Sequence, residues 1–262
     1  MLSFVPTPIG NLDDISKRAL LALQKAEIIF CEDTRVTKKL LNLLNIPLNK
    51  EFISLHSHNE DKVLSKLDPE ILKSQECVYV SDAGMPGISD PGSKLVKFAQ
   101  KHNIPYTVIP GANAALTAFV ASGFEGDFCF HAFLPHKGNE RSEKLKEILN
   151  SGKIAILYES PHRIEKLLKE LKDLAPNREI FLAKELTKMH ETFIKGKAKD
   201  IELPNTKGEW VIIIDKAPKS EKLELSYEEI KNLPLPIKEK SKLLAKISEK
   251  SAKEIYKELS KD

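Results

Sequence analysis

The stretch SDAGMPGISDPG at residues 81–92 places three glycines, two prolines and two aspartates directly after the apolar run CVYV at 77–80. A strand therefore feeds a loop built for close backbone approach. Glycine admits φ > 0 and lets main chain come up against a ligand, proline stiffens the bends, and an aspartate accepts from hydroxyls or amines. Two more junctions of this kind occur, FVPTPIGNL at 4–12 and VIPGANAA at 108–115. In open α/β sheets ligands collect outside the carboxyl ends of the strands, so three such loops lining one crevice predict a site for a small polar ligand. No G-x-G-x-x-G follows the first strand and no G-x-x-x-x-G-K-[ST] occurs, which disfavours a dinucleotide site and a P-loop.

Charged residues at strand ends supply the rest of the chemistry. Lys184 and Glu185 end an apolar run, a place where a charged pair needs a reason. A desolvated lysine has its amine pKa lowered and can serve as a base, and Glu185 and His190 are rivals that the sequence does not separate. The EDTR segment at 32–35 follows one strand and opens a helix, with Asp33 or Thr34 as its cap and a Glu32 to Arg35 ion pair one turn apart. The SPHR segment at 160–163 is a second helix start with Pro161 in the first turn, which sets His162 and Arg163 at an anion-friendly N-terminus. The loop FLPHKGNER at 133–141 carries His136, Lys137 and Arg141. Lysine outnumbers arginine 36 to 5, yet Arg35, Arg141 and Arg163 all lie in these segments. Arginine kept where lysine is the default suggests planar, bidentate contacts to phosphate or carboxylate.

These loops, in this order with YESPHR at 158–163 and AKELTKMHET at 183–192, carry a resemblance to a known family. From about residue 5 to 210 the chain resembles the ribosomal RNA small-subunit ribose 2′-O-methyltransferases of the tetrapyrrole-methylase superfamily. The resemblance implies a two-domain α/β fold, S-adenosylmethionine (SAM) as methyl donor, a homodimer, and methylation of a cytidine ribose in 16S rRNA of the small ribosomal subunit. It carries the cofactor site onto Pro8 and Gly10, onto Asp82, Ala83, Gly84, Pro86 and Gly87, and onto Asn113 and Ala114. Tyr158, Glu159, Ala183 and Gly208 would close the adenine side. Met85 and Gly87 depart from the family pattern. RNA binding would fall to Glu32, Arg35, His136, Lys137, Arg141, His162 and Arg163, and catalysis to Lys184, Glu185 or His190. Two other readings keep part of this picture: a SAM-dependent methylase of a tetrapyrrole or protein acceptor, and a non-catalytic RNA-binding factor. The basic loop at 135–141 and the tail argue against the first, and the intact ligand loops against the second.

The elements that must hold these residues follow from periodicity. Short β-rich runs at 2–5, 28–31, 52–55, 77–80 and 106–109 alternate with helical patterns such as 12–23, the signature of a largely parallel sheet. A second set at 128–133, 154–158, 179–184, 191–195 and 210–214 has two strands in succession around 187–190, so that sheet is expected to be mixed. The expected organisation is an N-terminal α/β domain at 1–110, a C-terminal α/β domain at 111–217 and a helical tail at 218–262, with a helix at 113–122 crossing into the second domain. Three short amphipathic helices, broken by Pro234 and Pro236, are expected in the tail.

Composition bounds the class. The 262 residues are 41% hydrophobic, enough for a real core, and the net charge is +3. Residues 216–262 hold twelve lysines and nine acidic residues, leaving 29 of each sign in residues 1–215, so the excess sits in the tail. No apolar run approaches the ~20 residues of a membrane span, and the first residues lack the basic region of a secretory signal. A cytoplasmic protein is expected. Cys31, Cys77 and Cys129 are odd in number and far apart, which predicts buried free thiols rather than disulfides or zinc. His56 and His58 lack the partners a metal site needs, and none is expected.

Overall fold

A computed structural model describes residues 1–217, 225–248 and 250–260. The chain divides into two compact units, Met1–Ala217 and Pro218–Asp262. In the first, the strands and helices run β1 (Leu2–Phe4), α1 (Lys17–Lys25), β2 (Ile28–Cys31), α2 (Thr34–Leu43), β3 (Glu51–Ser54), α3 (Glu60–Leu64), α4 (Pro69–Ser74), β4 (Cys77–Val80), α5 (Ser93–Lys101) and β5 (Tyr106–Val108). They continue with α6 (Ala114–Ser122), β6 (Phe128–Phe133), α7 (Asn139–Asn150), β7 (Ile154–Glu159), α8 (Ile164–Leu174), β8 (Glu179–Lys184), β9 (Thr192–Lys197) and β10 (Trp210–Ile214).

Two five-stranded sheets result. The first has the order β3-β2-β4-β1-β5 and every pairing is parallel. Its inner strands β2 and β4, IIFC and CVYV, are buried along their whole length, while the edges β3 and β5 are only partly covered. Continuous apolar runs in the middle and polar residues at the rims are what a parallel sheet covered on both faces requires. The second sheet has the order β6-β7-β10-β8-β9. Only β6 and β7 run parallel; the other pairs are antiparallel, as the successive strands at its end demand. The edge strand β9 alternates half-buried and exposed residues, the period of a strand with one wet face.

Helices close both faces by matching their apolar stripe to the sheet. In α8, Ile164, Leu167, Leu168 and Leu171 recur at helical spacing and join Leu145, Leu157, Leu182 and Ile212 in one core. The other face of the same sheet buries Ala115 and Ala118 of α6 against Ile156, Phe181 and Ile213. Side-chain caps set the helix starts: Ser16 for α1, Asp33 for α2 and Asn113 for α6 each accept from a first-turn amide. The helical pattern expected at 12–23 is split, because Asn11 caps a short 3₁₀ turn at Leu12–Asp14 and Ser16 then caps α1. Cys31 and Cys77 are buried free thiols, whereas Cys129 on edge strand β6 is partly exposed, against the expectation of burial.

The two sheets fall on either side of residues 110/111, and a domain boundary there remains a proposal. The second unit holds α9 (Tyr227–Asn232), α10 (Ile237–Leu244) and α11 (Ala252–Leu259). Ser226 with Glu229 and Ser251 with Glu254 form capping boxes for α9 and α11. Ile230, Leu244 and Ile255 make its core. The start of the expected tail, residues 218–224, lies outside the described residues. Among the described residues no helix is long and apolar enough to cross a membrane.

Candidate functional site

Where β1 and β4 end, their loops are pinned to each other. The amides of Thr7 and Gly84 each donate to the other's carbonyl at 3.0 Å. Gly84 takes φ +83, and a Cβ there would meet Ile9 Cγ2 at 3.1 Å, so the two loops touch where only glycine fits. The loop after β5 packs as closely, with Gly111 against the Pro6 ring. On the other side, Asn11 N donates to Thr187 Oγ1 at 3.1 Å, tying the first loop to the turn between β8 and β9. Tyr158 at the end of β7 accepts from the Ala115 amide at 3.2 Å and so fixes the start of α6 against the second sheet.

These contacts enclose a cavity of about 380 Å³. One wall is the 81–92 loop, with Ala83, Gly84, Met85, Ile88, Ser89 and Asp90. The opposite wall comes from the second sheet and the loop after β7, with Phe133, Tyr158, Glu159, Ser160, Pro161, Leu186, Glu209, Trp210 and Val211, and Ile9, Asn113 and Ala114 complete it. The volume lies within the ~300–1,000 Å³ of small-molecule sites, and the surface is apolar with a few polar groups, the usual character of such a site. Ser89 is held at φ 66, a left-handed conformation that costs a non-glycine residue about 1 kcal/mol or more and recurs at ligand sites.

Carboxylates gather at one end. Burial, with the neighbouring Glu32 and Asp82 charges, pushes the Asp90 carboxyl up to about 6. Burial and Asp82 raise Glu32, and burial raises Asp82, whose Oδ1 accepts from the Asp33 amide at 3.1 Å. The Tyr79 hydroxyl beneath them is fully buried without a hydrogen-bond partner, and burial and the Glu32, Glu60 and Asp90 charges keep it protonated.

A second charged cluster lies under the other wall. Glu159 receives Arg141 Nη2 on Oε2 at 3.2 Å and Arg163 Nη2 on Oε1 at 2.7 Å, while Arg141 Nε reaches Glu170 at 3.0 Å. The same arginines donate to the Pro135 and Leu134 carbonyls, fastening the 134–138 loop. Arg141 therefore meets the carboxylate alternative and is not the exposed RNA contact that the resemblance implies. Its side chain is 1% exposed, and two carboxylates compensate a charge that could not be buried alone.

The other sequence candidates separate clearly. Ala83, Gly84, Asn113, Ala114, Tyr158 and Glu159 line the cavity; Pro8, Gly10, Asp82, Pro86, Gly87, Ala183 and Gly208 do not. Gly10 and Gly208 are backing positions, where a Cβ would meet Thr187 Oγ1 and Glu185 Cγ at 2.6 Å each. None of the three proposed catalytic residues lines the cavity. Lys184 Nζ donates to Asn205 Oδ1 at 2.8 Å beside the Trp210 ring, and His190 is exposed. Burial alone would raise Glu185, but the Glu209 amide and the Lys188 ammonium outweigh it and hold its carboxyl below the usual value. Arg35 is 89% exposed and pairs with Asp33 at 2.6 Å, not with Glu32. His136, Lys137 and His162 are exposed, and Arg163 is half-buried. Residues that sequence reasoning missed include Asp90, Phe133, Leu186, Glu209 and Trp210. Asp90, Phe133 and Leu186 stand in the segments 81–92, 133–141 and 183–192 already singled out, whereas Glu209 and Trp210 lie outside any of them.

Two sheets, one parallel and one mixed, with a cavity at the loops between them define a two-sheet α/β architecture with a small-molecule site. The model of the tetrapyrrole (corrin/porphyrin) methylases matches residues 1–202, and the chain belongs to that family. Within it the chain falls with proteins named ribosomal RNA small subunit methyltransferase I. It is 48% identical to the one from Campylobacter fetus over 99% of each chain, and 45% identical to that from Helicobacter pylori strain 26695 over 98% of this chain and 96% of the relative. Among solved structures, the methyltransferase CobJ superposes with a TM-score of 0.61 at 19% identity, and cobalt precorrin-4 methyltransferase CbiF with 0.59 at 16%. Each covers 82% of this chain and 94% of its own, and at that identity the likeness concerns the fold.

Proposed function

We propose that this chain transfers a methyl group from SAM to the 2′-oxygen of a cytidine ribose in 16S rRNA of the small ribosomal subunit, in the cytoplasm and as a homodimer. The observation that carries the reading is the cavity between the sheets, in a chain 48% identical over nearly its whole length to a relative named for ribosomal RNA methylation. The lining fits the donor. Ile9, Ala83, Met85, Ile88 and Leu186 offer apolar surface for the adenine and the methylthio portion, and Glu209 offers an acceptor for hydroxyl or ammonium groups. The 83–84 segment and Asn113–Ala114 would hold the donor, with Asp82 and the close-packed Gly10 and Gly111 keeping their loops in place. SAM supplies an already activated methyl group.

What the chain itself must do is position and deprotonate. Orientation of two bound reactants can be worth an effective molarity of ~10⁵ M or more. The face for RNA would be formed by the exposed Arg35, His136, Lys137 and His162, with Glu32 beside Arg35 and with Arg163 holding the loop that carries two of them. Selection would then rest on shape in a folded target, with phosphates held at few points and one nucleotide splayed toward the cleft.

Mapping ribose methylation in 16S rRNA from cells with and without the gene tests the reading, together with calorimetry of SAM binding to the purified protein. Loss of one cytidine 2′-O-methyl mark without the gene is expected. An unchanged rRNA pattern, or no SAM binding, overturns it. Light scattering tests the homodimer, which a strict monomer with full activity would exclude.

A further inference from the structure

We propose that Asp90 is the group that accepts the proton from the substrate hydroxyl as the methyl group is transferred. The proposal rests on the function proposed above and specifies its missing base. Four titratable side chains line the cavity: Asp90, Tyr158, Glu159 and Glu209. Glu159 is bound on both oxygens by Arg141 and Arg163 and is fully buried, so its charge is already committed. Glu209 is paired with Lys188 at 2.9 Å and faces solvent. Burial raises Tyr158, which keeps its proton at neutral pH and accepts from the Ala115 amide. Asp90 remains. Among the described residues no lysine, arginine or histidine pairs with it.

The surroundings suit the task. Asp90 faces Glu32 at the end of β2, Asp82 and Ser81 in its own loop, Tyr79 of β4 and Tyr158 of β7, with no cation among them. Burial and the neighbouring like charges disfavour ionisation, and a carboxyl that titrates at about 6 is still mostly ionised at neutral pH while being a stronger base than an ordinary aspartate. In the step, the ribose O–H bond breaks and its proton passes to an Asp90 carboxylate oxygen. The hydroxyl oxygen forms the new bond to the methyl carbon, and the carbon–sulfur bond breaks with its electron pair going to sulfur. A carboxylate, an alcohol and a sulfonium become a carboxylic acid, a methyl ether and a neutral thioether, so charge and atoms balance.

The test uses Asp90→Asn, which keeps shape and removes the basic oxygen. Calorimetry with SAM, single-turnover methyl transfer to small ribosomal subunits across the neutral range, and ¹³C NMR titration of the Asp90 carboxyl in the free wild-type protein are measured together. Retained SAM affinity, a rate lower by about 10²- to 10⁴-fold, and a wild-type acidic limb that disappears in the variant support the proposal. A wild-type rate in Asp90→Asn overturns it, as does a SAM-binding defect whose rate recovers at saturation, which would make Asp90 a donor-holding residue. A flat wild-type pH profile or an ordinary aspartate titration also overturns it, and these two readings stand even if the variant does not fold. Failure of the wild-type protein to bind SAM or to methylate ribose removes the functional reading, and Asp90's role falls with it, separately from any result on the variant.

Discussion

Arg141 and Glu159 form an ion pair from which solvent is excluded: the groups lie 3.2 Å apart with side chains 1% and 0% exposed. Arg141→Gln leaves Glu159 with one guanidinium and Glu170 with a distant lysine. Removing one partner of a buried pair costs about 3–5 kcal/mol, so the melting temperature should fall sharply. Adding Glu159→Gln to the variant should recover part of the loss. A surface role for Arg141 predicts the opposite: unchanged stability with weaker RNA binding.

Asp90 gives stability a sign in pH. Its folded pKa of about 6 lies above the ordinary aspartate value, so the folded state binds the extra proton between roughly pH 4 and 6. Stability from this group is full below that window and declines as pH rises through it. Asp90→Asn should therefore raise stability at neutral pH by roughly 1–2 kcal/mol, allowing for partial exposure, and by nothing at acid pH. Denaturant titration at both ends of the window reads the difference directly. An equal change at both would remove charge as the cause.

Gly111→Ala places a methyl group into the Pro6 ring, which cannot swing away as a flexible side chain would. The expected cost is about 1–3 kcal/mol, as for other over-packed positions, with weaker SAM binding because the loops on the first sheet move together. Calorimetry and thermal melts check both parts. A variant with native stability would show that the loop has slack.

Arg35→Gln and Lys137→Gln remove exposed charge and leave the cavity lining intact. Methyl transfer to subunits should slow while SAM affinity stays, and the salt dependence of subunit binding should shallow by about one unit for each phosphate no longer neutralised. The body of the chain is electrically balanced, so naked 16S rRNA should be a poorer acceptor than assembled subunits. Equal rates on both would contradict recognition by shape.

The strands were readable because local pattern and tertiary role agree in them. β2, β4, β6, β8 and β10 lie where β-branched and aromatic runs predict, and the helix expected at 113–122 is found at Ala114–Ser122. Arg141 was misread for the opposite reason: its partners stand 18 and 29 residues away, and only packing turns it inward. The Lys184–Glu185 pair looked catalytic because a charged strand end is unusual, yet the β8–β9 turn directs it to Asn205, Lys188 and the Glu209 amide. Asp90 was overlooked beside Asp82, since two aspartates in one glycine-rich loop are equivalent until burial distinguishes them.

Gly10 has almost no room, with Lys188 Cγ, Thr187 Oγ1 and the Leu186 carbonyl all within 2.7 Å of where a Cβ would stand. Two segments more than 170 positions apart in the chain thus behave as a lock and its key blank, and neither can drift alone. A chimera that exchanges the first sheet between relatives should assemble only if it also imports the turn at 186–188. The same interlock marks the unit of inheritance in this fold as the seam between its halves, since each half is shaped against the other.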